Sequence, residues 1–327
     1  MYGVKIIKTG SYLPPKILTN ADLEKIVDTS DEWITTRTGI KERRIAEKDV
    51  CASDLAIFAC KKIFEETSIE IEEIDTVIVA TITPDNFFPS TACNIQKNLQ
   101  LKNAACFDIS AACSGFIYGL AVAKSLLESG NSKTVLLIGT EVMSKIINWK
   151  DRNTCVLFGD GAGAMLLTRT QPEDTNILSV YIKSDGNYGD LLKIPAGGSK
   201  MPTTLQTLNN NLHYIQMNGR ETFKLAVTKM IEAVNKGLEM CNKKISDISL
   251  LIPHQANLRI INAIVERLEI PKEKVFINLD KYGNISSATT IIGLDEAIHQ
   301  GRVKKGDLVE LIAFGAGMTW GSAVIKL

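Results

Sequence analysis

Three residues of this chain have types and settings that could share one reaction. Cys113 lies among small neighbours in Asp108-Ile109-Ser110-Ala111-Ala112-Cys113-Ser114-Gly115. The run Ser114–Gly130 that follows reads as helix, with Ile117, Leu120, Ala121, Lys124 and Leu127 marking its turns. A thiol at a helix N-terminus faces unpaired N–H groups and the positive dipole end, which stabilise thiolate. Its small neighbours would let a carbonyl carbon come within bonding distance, so the chemistry would be nucleophilic acyl transfer. His254 follows a buried strand in Leu251-Ile252-Pro253-His254-Gln255-Ala256-Asn257, at the carboxyl end where α/β folds bind ligands. Asn284 stands in Lys281-Tyr282-Gly283-Asn284-Ile285-Ser286-Ser287-Ala288. Taken one at a time, each has a bland reading. A lone Cys is usually core, a His a hydrogen-bonded imidazole, and an Asn before a helix an N-cap.

The elements around them must bring the three together. Thr76–Ala80, Thr134–Ile138, Leu250–Ile252 and Leu308–Ile312 are short β-branched runs that read as buried strands. Ser53–Glu66 and Phe223–Met240 carry helical spacing, the second with Phe223, Val227, Met230, Ile231 and Val234 on one face. Strand–helix alternation implies an α/β fold. Cys106–Gly130 is similar to Val275–Gly301, and Phe158–Leu167 to Phe314–Ile325. Two related halves are therefore expected, residues 1–170 and 171–327, joined through a polar connection over Thr170–Gln216 that runs on the surface. On this reading Cys113 and Asn284 occupy corresponding helix starts.

The bulk composition excludes several classes. The 327 residues carry 37 basic and 37 acidic side chains, so no overall field marks a nucleic-acid or membrane binder. Seven cysteines without C-x-x-C spacing suggest neither a disulfide framework nor a zinc site. The first residues lack a signal-peptide core, and Ala104–Leu127 is broken by Asp108 and Lys124. A cytoplasmic protein with reduced thiols is expected. Gly315-Ala316-Gly317 follows a strand and could point N–H groups at an oxyanion. Phe158–Gly163 lacks the Lys-Ser/Thr of a Walker loop and reads as tight packing.

Together these windows resemble the β-ketoacyl-acyl carrier protein synthase III family, the initiating condensing enzymes of type II fatty acid synthesis. The resemblance runs along the whole chain through Asp28–Trp33, Arg37–Ile40, Phe88-Pro89-Ser90, the Cys113 window, Asp151-Arg152, Phe158–Gly163, Pro253–Asn257, Gly283-Asn284 and Phe314–Gly321. It implies an α/β thiolase-like fold: two halves, each with a mixed five-stranded sheet, in five αβαβα layers. It implies a homodimer, with Phe88 reaching the partner's acyl pocket and Phe314 lining that pocket. The implied reaction is a short acyl-CoA, such as acetyl-CoA, plus malonyl-acyl carrier protein, giving 3-ketoacyl-acyl carrier protein, CoA and carbon dioxide. Cys113 would be acylated, the Cys113 and Ala316 N–H groups would hold the oxyanion, and His254 and Asn284 would serve decarboxylation. The resemblance places Thr29, Trp33, Arg37, Arg152, Gly219 and Asn257 on CoA, with Trp33 and Arg152 sandwiching the adenine. Lys224 and Arg259 would dock the acidic carrier protein. No metal, cofactor, nucleic acid or membrane is implied.

The sequence departs from that family at Ala316, where Gly is common, and at Ile291, where Pro is usual; Thr289–Ile292 is unusual and is expected to alter pocket shape. A relative of secondary metabolism, with another acceptor on the same acyl-Cys113, is the competing reading. The complete Cys–His–Asn set favours condensation over it. A non-catalytic subunit would lack the nucleophile, and a papain-like hydrolase would not have this strand–helix layout.

Overall fold

A computed structural model describes all 327 residues. Nine strands build two sheets: β1 Gly3–Tyr12, β2 Thr76–Ala80, β3 Ala105–Ile109, β4 Thr134–Val142, β5 Asp160–Thr170, β6 Ile177–Ser184, β7 Leu250–Pro253, β8 Leu308–Gly315 and β9 Thr319–Lys326. The first sheet runs β1-β5-β4-β2-β3 and the second β6-β9-β8-β7. In both, the strand pairs at one end are antiparallel and those at the other parallel. The second sheet therefore has four full strands, not the expected five. Its fifth position is held by one parallel bridge, Leu251 to Val275, and by Phe276 N–H donating to Leu251 O at 2.9 Å. The chain leaves this edge for the short helix Leu279–Tyr282 before a strand can extend. The polar connection is also more ordered than expected, since Ile177–Ser184 is a strand paired with β9.

Seven helices complete the layers: α1 Asp31–Thr38, α2 Ala52–Glu65, α3 Thr91–Leu99, α4 Gly115–Ser129, α5 Gly219–Met240, α6 Leu258–Leu268 and α7 Thr289–His299. Alternation along the buried strands feeds three cores. In β4, Leu136 and Ile138 face the outer helices α2 and α3, while Val135 and Leu137 face α4 and α7. In β8, Val309, Leu311 and Ala313 face that same middle layer; Leu308, Ile312 and Phe314 face α5 and α6. The order is α2/α3, sheet, α4/α7, sheet, α5/α6, the expected five layers. Because α4 lies between two sheets it is apolar almost all round, and a Cβ on Gly119 would stand 2.5 Å from Leu137. Gly130, at φ +81°, ends it in a left-handed cap.

One polar group breaks this pattern. Glu310 of β8 points at α5 with both carboxyl oxygens buried and without partners. Gly237 makes room for it; a Cβ there would lie 2.2 Å from Ser322 Oγ and 3.1 Å from Glu310 Oε1. The Ser322 hydroxyl donates instead to Ala233 O at 2.7 Å. Burial pushes the Glu310 carboxyl well above its usual range, so the folded protein holds a proton that the unfolded chain releases above pH about 4. The contribution of this carboxyl to stability must then fall as pH rises above the ordinary glutamate value. Glu310→Leu should raise unfolding free energy by about 1–3 kcal/mol, the scale of an unsatisfied buried polar group. Urea titrations of both proteins should show that advantage widening from pH 5 to pH 8.

Candidate active site

Between β3 and α4 the backbone turns sharply. Ala112 adopts φ +46°, and Cys113 follows in a single 3₁₀ turn, Ala112–Ser114, directly before α4. A left-handed alanine is strained, so neighbours must hold it. Ser114 Oγ donates to Ala111 O at 2.8 Å, Thr319 Oγ1 contacts the same carbonyl at 3.0 Å, and the two hydroxyls lie 2.7 Å apart. The hairpin between β8 and β9 presses on the turn: a Cβ on Gly315 would stand 2.6 Å from Cys113 N. Ala316 follows, and its N–H reaches no backbone carbonyl.

The second half repeats the turn. Ser286 adopts φ +44°, and the 3₁₀ turn Ser286–Ala288 leads into α7. Counted from the two left-handed residues, Cys113 corresponds to Ser287, and Asn284 corresponds to Ser110. The expected equivalence of Cys113 and Asn284 is thus three residues out of register. Asn284 is no simple helix cap either. Its N–H donates to Leu157 O at 2.8 Å, its carbonyl accepts from Gly159 N at 3.1 Å, and its Oδ1 accepts from Ser286 N at 2.8 Å. With Oδ1 committed, the Nδ2 amide hydrogens are what Asn284 presents to the cavity it lines.

His254 stands just past β7, its N–H on Ile312 O at 2.7 Å. Gln255 braces this bend through Pro253 O, Phe276 O and Asn278 N–H. The imidazole Nδ1 lies 2.6 Å from Thr289 Oγ1. Burial pushes its pKa down to about 3, so the ring is neutral at working pH. Burial likewise pushes the Cys113 thiol up to about 12, while the adjacent Ser286 hydroxyl and the thiol's own N–H pull it down. Open N–H groups at the start of α4, uncapped by any side chain, act in the same favourable direction.

Glu141 of β4 links the halves behind the thiol. It accepts from Thr81 Oγ1 at 3.2 Å, Ile82 N at 3.1 Å, Thr83 Oγ1 at 2.7 Å and Ser287 Oγ at 3.0 Å. Burial pushes its carboxyl up, against the pull of these donors.

Two cavities meet at Cys113. The first, about 400 Å³, holds Cys113, His254 and Asn284 and opens between Trp33, Arg37, Asn257 and Arg259. The second, about 430 Å³, is lined by Ile82, Met143, Ile194, Ile215 and Ala316. Only Cys113, Phe158 and Leu192 border both. Phe314, expected in the acyl pocket, lines the first cavity instead, because β8 alternation turns it toward α5 and α6. Thr289–Ile292 lines neither; Ile291 packs against Gly163, so these residues shape the core rather than a pocket.

At the mouth, Arg37 and Arg152 lie 4.8 and 5.0 Å from the Trp33 ring. A base stacked on both Trp33 and Arg152 would need about 7 Å, twice a contact distance, so Arg152 must swing out to admit one. Its anchors are the Asp28 carbonyl at 3.0 Å and carboxylate at 3.7 Å. Gly219 lines the mouth, whereas Thr29 and Arg152 do not. Asn257 is committed to structure: Oδ1 caps α6 through Arg259 N, and Nδ2 holds Arg37 O at 3.1 Å. Arg259 lies over Phe223, and Lys224 pairs with Glu221 on the outer face of α5. Phe87 and Phe88 are 86% and 87% exposed before α3, whose first N–H groups Asp108 accepts.

Asp160, in the glycine-rich window, accepts from Ala46 N, Ser144 N and Ser144 Oγ, which is the packing role expected. No group of three His, Cys, Asp or Glu could hold a metal, all seven cysteines are free, and no helix is long and apolar enough to cross a membrane. Sequence reasoning missed Glu141 and the contact that Thr289 makes with the imidazole. Thr289 and Glu141 contact partners 35 and 146 residues away in sequence, His254 and Ser287, and local pattern carries no such signal.

Residues 107–186 match the family model for 3-oxoacyl-[acyl-carrier-protein] synthase III, and residues 238–327 match that for its C-terminal part. The chain is 58% identical over 321 residues to β-ketoacyl-[acyl-carrier-protein] synthase III of Caldanaerobacter subterraneus subsp. tengcongensis, covering 98% of this chain and 97% of that one. It is 51% identical to the protein of the same name from Clostridioides difficile, over 98% and 97% of the two chains. The crystal structure of 3-oxoacyl-[acyl-carrier-protein] synthase III from Aquifex aeolicus superposes with a TM-score of 0.91 at 51% identity, covering 99% and 100%. The five-layered arrangement, the cysteine elbow and these likenesses lead to one conclusion: the chain belongs to the β-ketoacyl-[acyl-carrier-protein] synthase III family.

Proposed function

We propose that the protein condenses a short acyl-CoA, such as acetyl-CoA, with malonyl-acyl carrier protein, initiating fatty acid synthesis. The observation that carries this is the position of Cys113 at the junction of two cavities, with a neutral His254 and the Asn284 amide in only the first. The acyl-CoA thioester enters by the first cavity. The Cys113 sulfur attacks its carbonyl carbon, the Cys113 and Ala316 N–H groups hold the tetrahedral oxyanion, and the C–S bond to CoA breaks. The thiol proton leaves with CoA, and the acyl group rests toward the second cavity.

Malonyl-acyl carrier protein then presents its thioester in the vacated first cavity. Breaking the C–C bond to the carboxylate releases carbon dioxide and leaves its electron pair as an enolate. A ring N–H of His254 and an amide N–H of Asn284 donate to the enolate oxygen. The carbanion attacks the acyl carbon, the C–S bond to Cys113 breaks with the sulfur leaving as thiolate, which takes up a proton from solvent, and 3-ketoacyl-acyl carrier protein departs. The reaction so drawn uses no metal or redox group.

Trp33, Arg37, Gly219 and Asn257 line the CoA path in this reading, while Arg152, held against Trp33, and Thr29 lie outside it until the mouth opens to a base. Trp33 and Arg37 supply the stacking faces, and Asn257 acts through the Arg37 carbonyl it holds. Arg259, unpaired at the mouth, is the stronger docking charge for an acidic carrier protein, and Lys224 the weaker. The open edge of β3 and the bare Phe87-Phe88 pair support a homodimer in which Phe88 closes the partner's second cavity. The halves 1–170 and 171–327 then divide after β5, each supplying one elbow. Seven free thiols suit a reducing cytoplasm.

Acetyl-CoA should leave an acetyl group on the Cys113 peptide by mass spectrometry; a panel of acyl-CoAs giving none, or one on another cysteine, refutes the assignment. Asn284→Ala should still be acylated, while carbon dioxide release from malonyl-acyl carrier protein should drop about 10²–10³-fold, as for one lost oxyanion donor. Equal loss of both half-reactions would sink its role. Because burial keeps His254 neutral down to about pH 3, decarboxylation measured from pH 5 to 8 should show no step at the ordinary imidazole value. A step there would mean the ring titrates in the working enzyme.

A further inference from the structure

The decarboxylation role asks something definite of His254. A neutral imidazole has one ring hydrogen, and a donor to the enolate oxygen must carry it on the nitrogen facing the cavity. Nδ1 is turned away, 2.6 Å from Thr289 Oγ1, in a contact where both residues are about 4% exposed. Nε2 is therefore the nitrogen left for substrate.

Two hydrogen arrangements fit these atoms. In one, the Thr289 hydroxyl donates to Nδ1, and Nε2 carries the hydrogen. In the other, Nδ1–H donates to Thr289, whose hydroxyl turns to Ser286 O at 3.1 Å, and a bare Nε2 lone pair faces the cavity. The first is the one the chemistry needs: a bare lone pair facing a forming enolate oxygen would repel it, and Ser286 O, which already accepts the Thr289 backbone N–H, can do without the hydroxyl.

We propose that Thr289 is a positioning residue that fixes the tautomer of His254, its hydroxyl donating to Nδ1 so that Nε2–H is held toward the thioester oxygen. This rests on the decarboxylative reading above. Nothing in the sequence window of either residue pairs them. The pairing arises because the second elbow starts α7 beside the end of β7, which puts the first side chain of the helix behind the imidazole. The departure at Thr289–Ile292 thus acquires a function at its first residue, through His254 rather than through a pocket wall.

The test reads the tautomer and the two half-reactions separately. Long-range ¹⁵N–¹H spectra of protein labelled at its three histidines should show a non-protonated Nδ1 and a protonated Nε2 for His254. Thr289→Val should lower the kcat for carbon dioxide release from malonyl-acyl carrier protein about 10–100-fold, as loss of an orienting partner does, with KM within about 3-fold. Transfer of acetyl from acetyl-CoA to Cys113 should stay within about 3-fold of wild type, and Thr289→Ser, which keeps the hydroxyl, should restore decarboxylation to about the same margin. A protonated Nδ1 in the wild type overturns the proposal, and so does a folded Thr289→Val that decarboxylates at the wild-type rate. If the valine protein does not fold, the wild-type spectrum still decides. Should wild type neither acylate Cys113 nor release carbon dioxide, the functional reading fails, while the spectrum continues to judge Thr289.

Discussion

The starts of α4 and α7 crowd one point in the middle layer, and the spacing there leaves no room for a single extra carbon. A Cβ on Gly139 would meet Ser287 O at 3.0 Å, and one on Gly315 would meet Cys113 N at 2.6 Å. Both helices can begin there only because Ala112 and Ser286 each take a left-handed turn, aiming the next side chain inward. Such turns are unfavourable in isolation and persist where surrounding contacts over-determine them. Here those contacts come from both sheets: Thr319 of β9 holds the first elbow, and Glu141 of β4 holds the second through Ser287. The geometry around the thiol is therefore a property of how the halves meet, and neither half has it alone.

That crowding also sets the electrostatics. Water is largely excluded from Cys113, His254 and Asn284, so the imidazole stays neutral and the thiol is held up in pKa. In such surroundings a few oriented N–H groups count for far more than in water. The polar atoms facing the reaction are mostly donors whose acceptor side is already bound elsewhere. Asn284 Oδ1 is tied to Ser286 N, and Nδ1 of the imidazole to Thr289. Each constraint removes a rotation or a flip that would present a lone pair where negative charge must develop.

Much of this was legible in the sequence, and the misses share one cause. Thr76–Ala80 matched its strand residue for residue, because a β-branched run buried on both faces has few alternatives. Cys113, His254 and Asn284 stood out through small neighbours, a strand end and a glycine turn. What escaped was whatever depends on contacts distant in sequence. The partner of the imidazole begins a helix 35 residues on, and Glu141 lies past Thr134–Ile138, the run that reads as strand, in the part of the strand the pattern did not reach. The register of the internal repeat failed for a related reason. Similarity among apolar segments aligned Asn284 with Cys113, whereas backbone conformation, which the letters do not display, aligns Ser287 with it. Phe314 borders the cavity of His254 and Asn284 rather than the second one, because alternation along β8 puts it on the side of Leu308 and Ile312.

The position of the thiol at the boundary of two cavities has a kinetic meaning. On the proposed function, the tunnel from Trp33 to Cys113 is the route by which a CoA ester would reach the sulfur, and it also holds His254 and Asn284. One passage therefore serves two visitors, and the departing thiol must clear it before the next arm can come in. The acyl chain alone has somewhere else to stay, through the wall beside Ile82 and Met143. Worked in that way, the protein would act by turns, in a ping-pong cycle, and unbound CoA would compete with the carrier arm for a shared doorway.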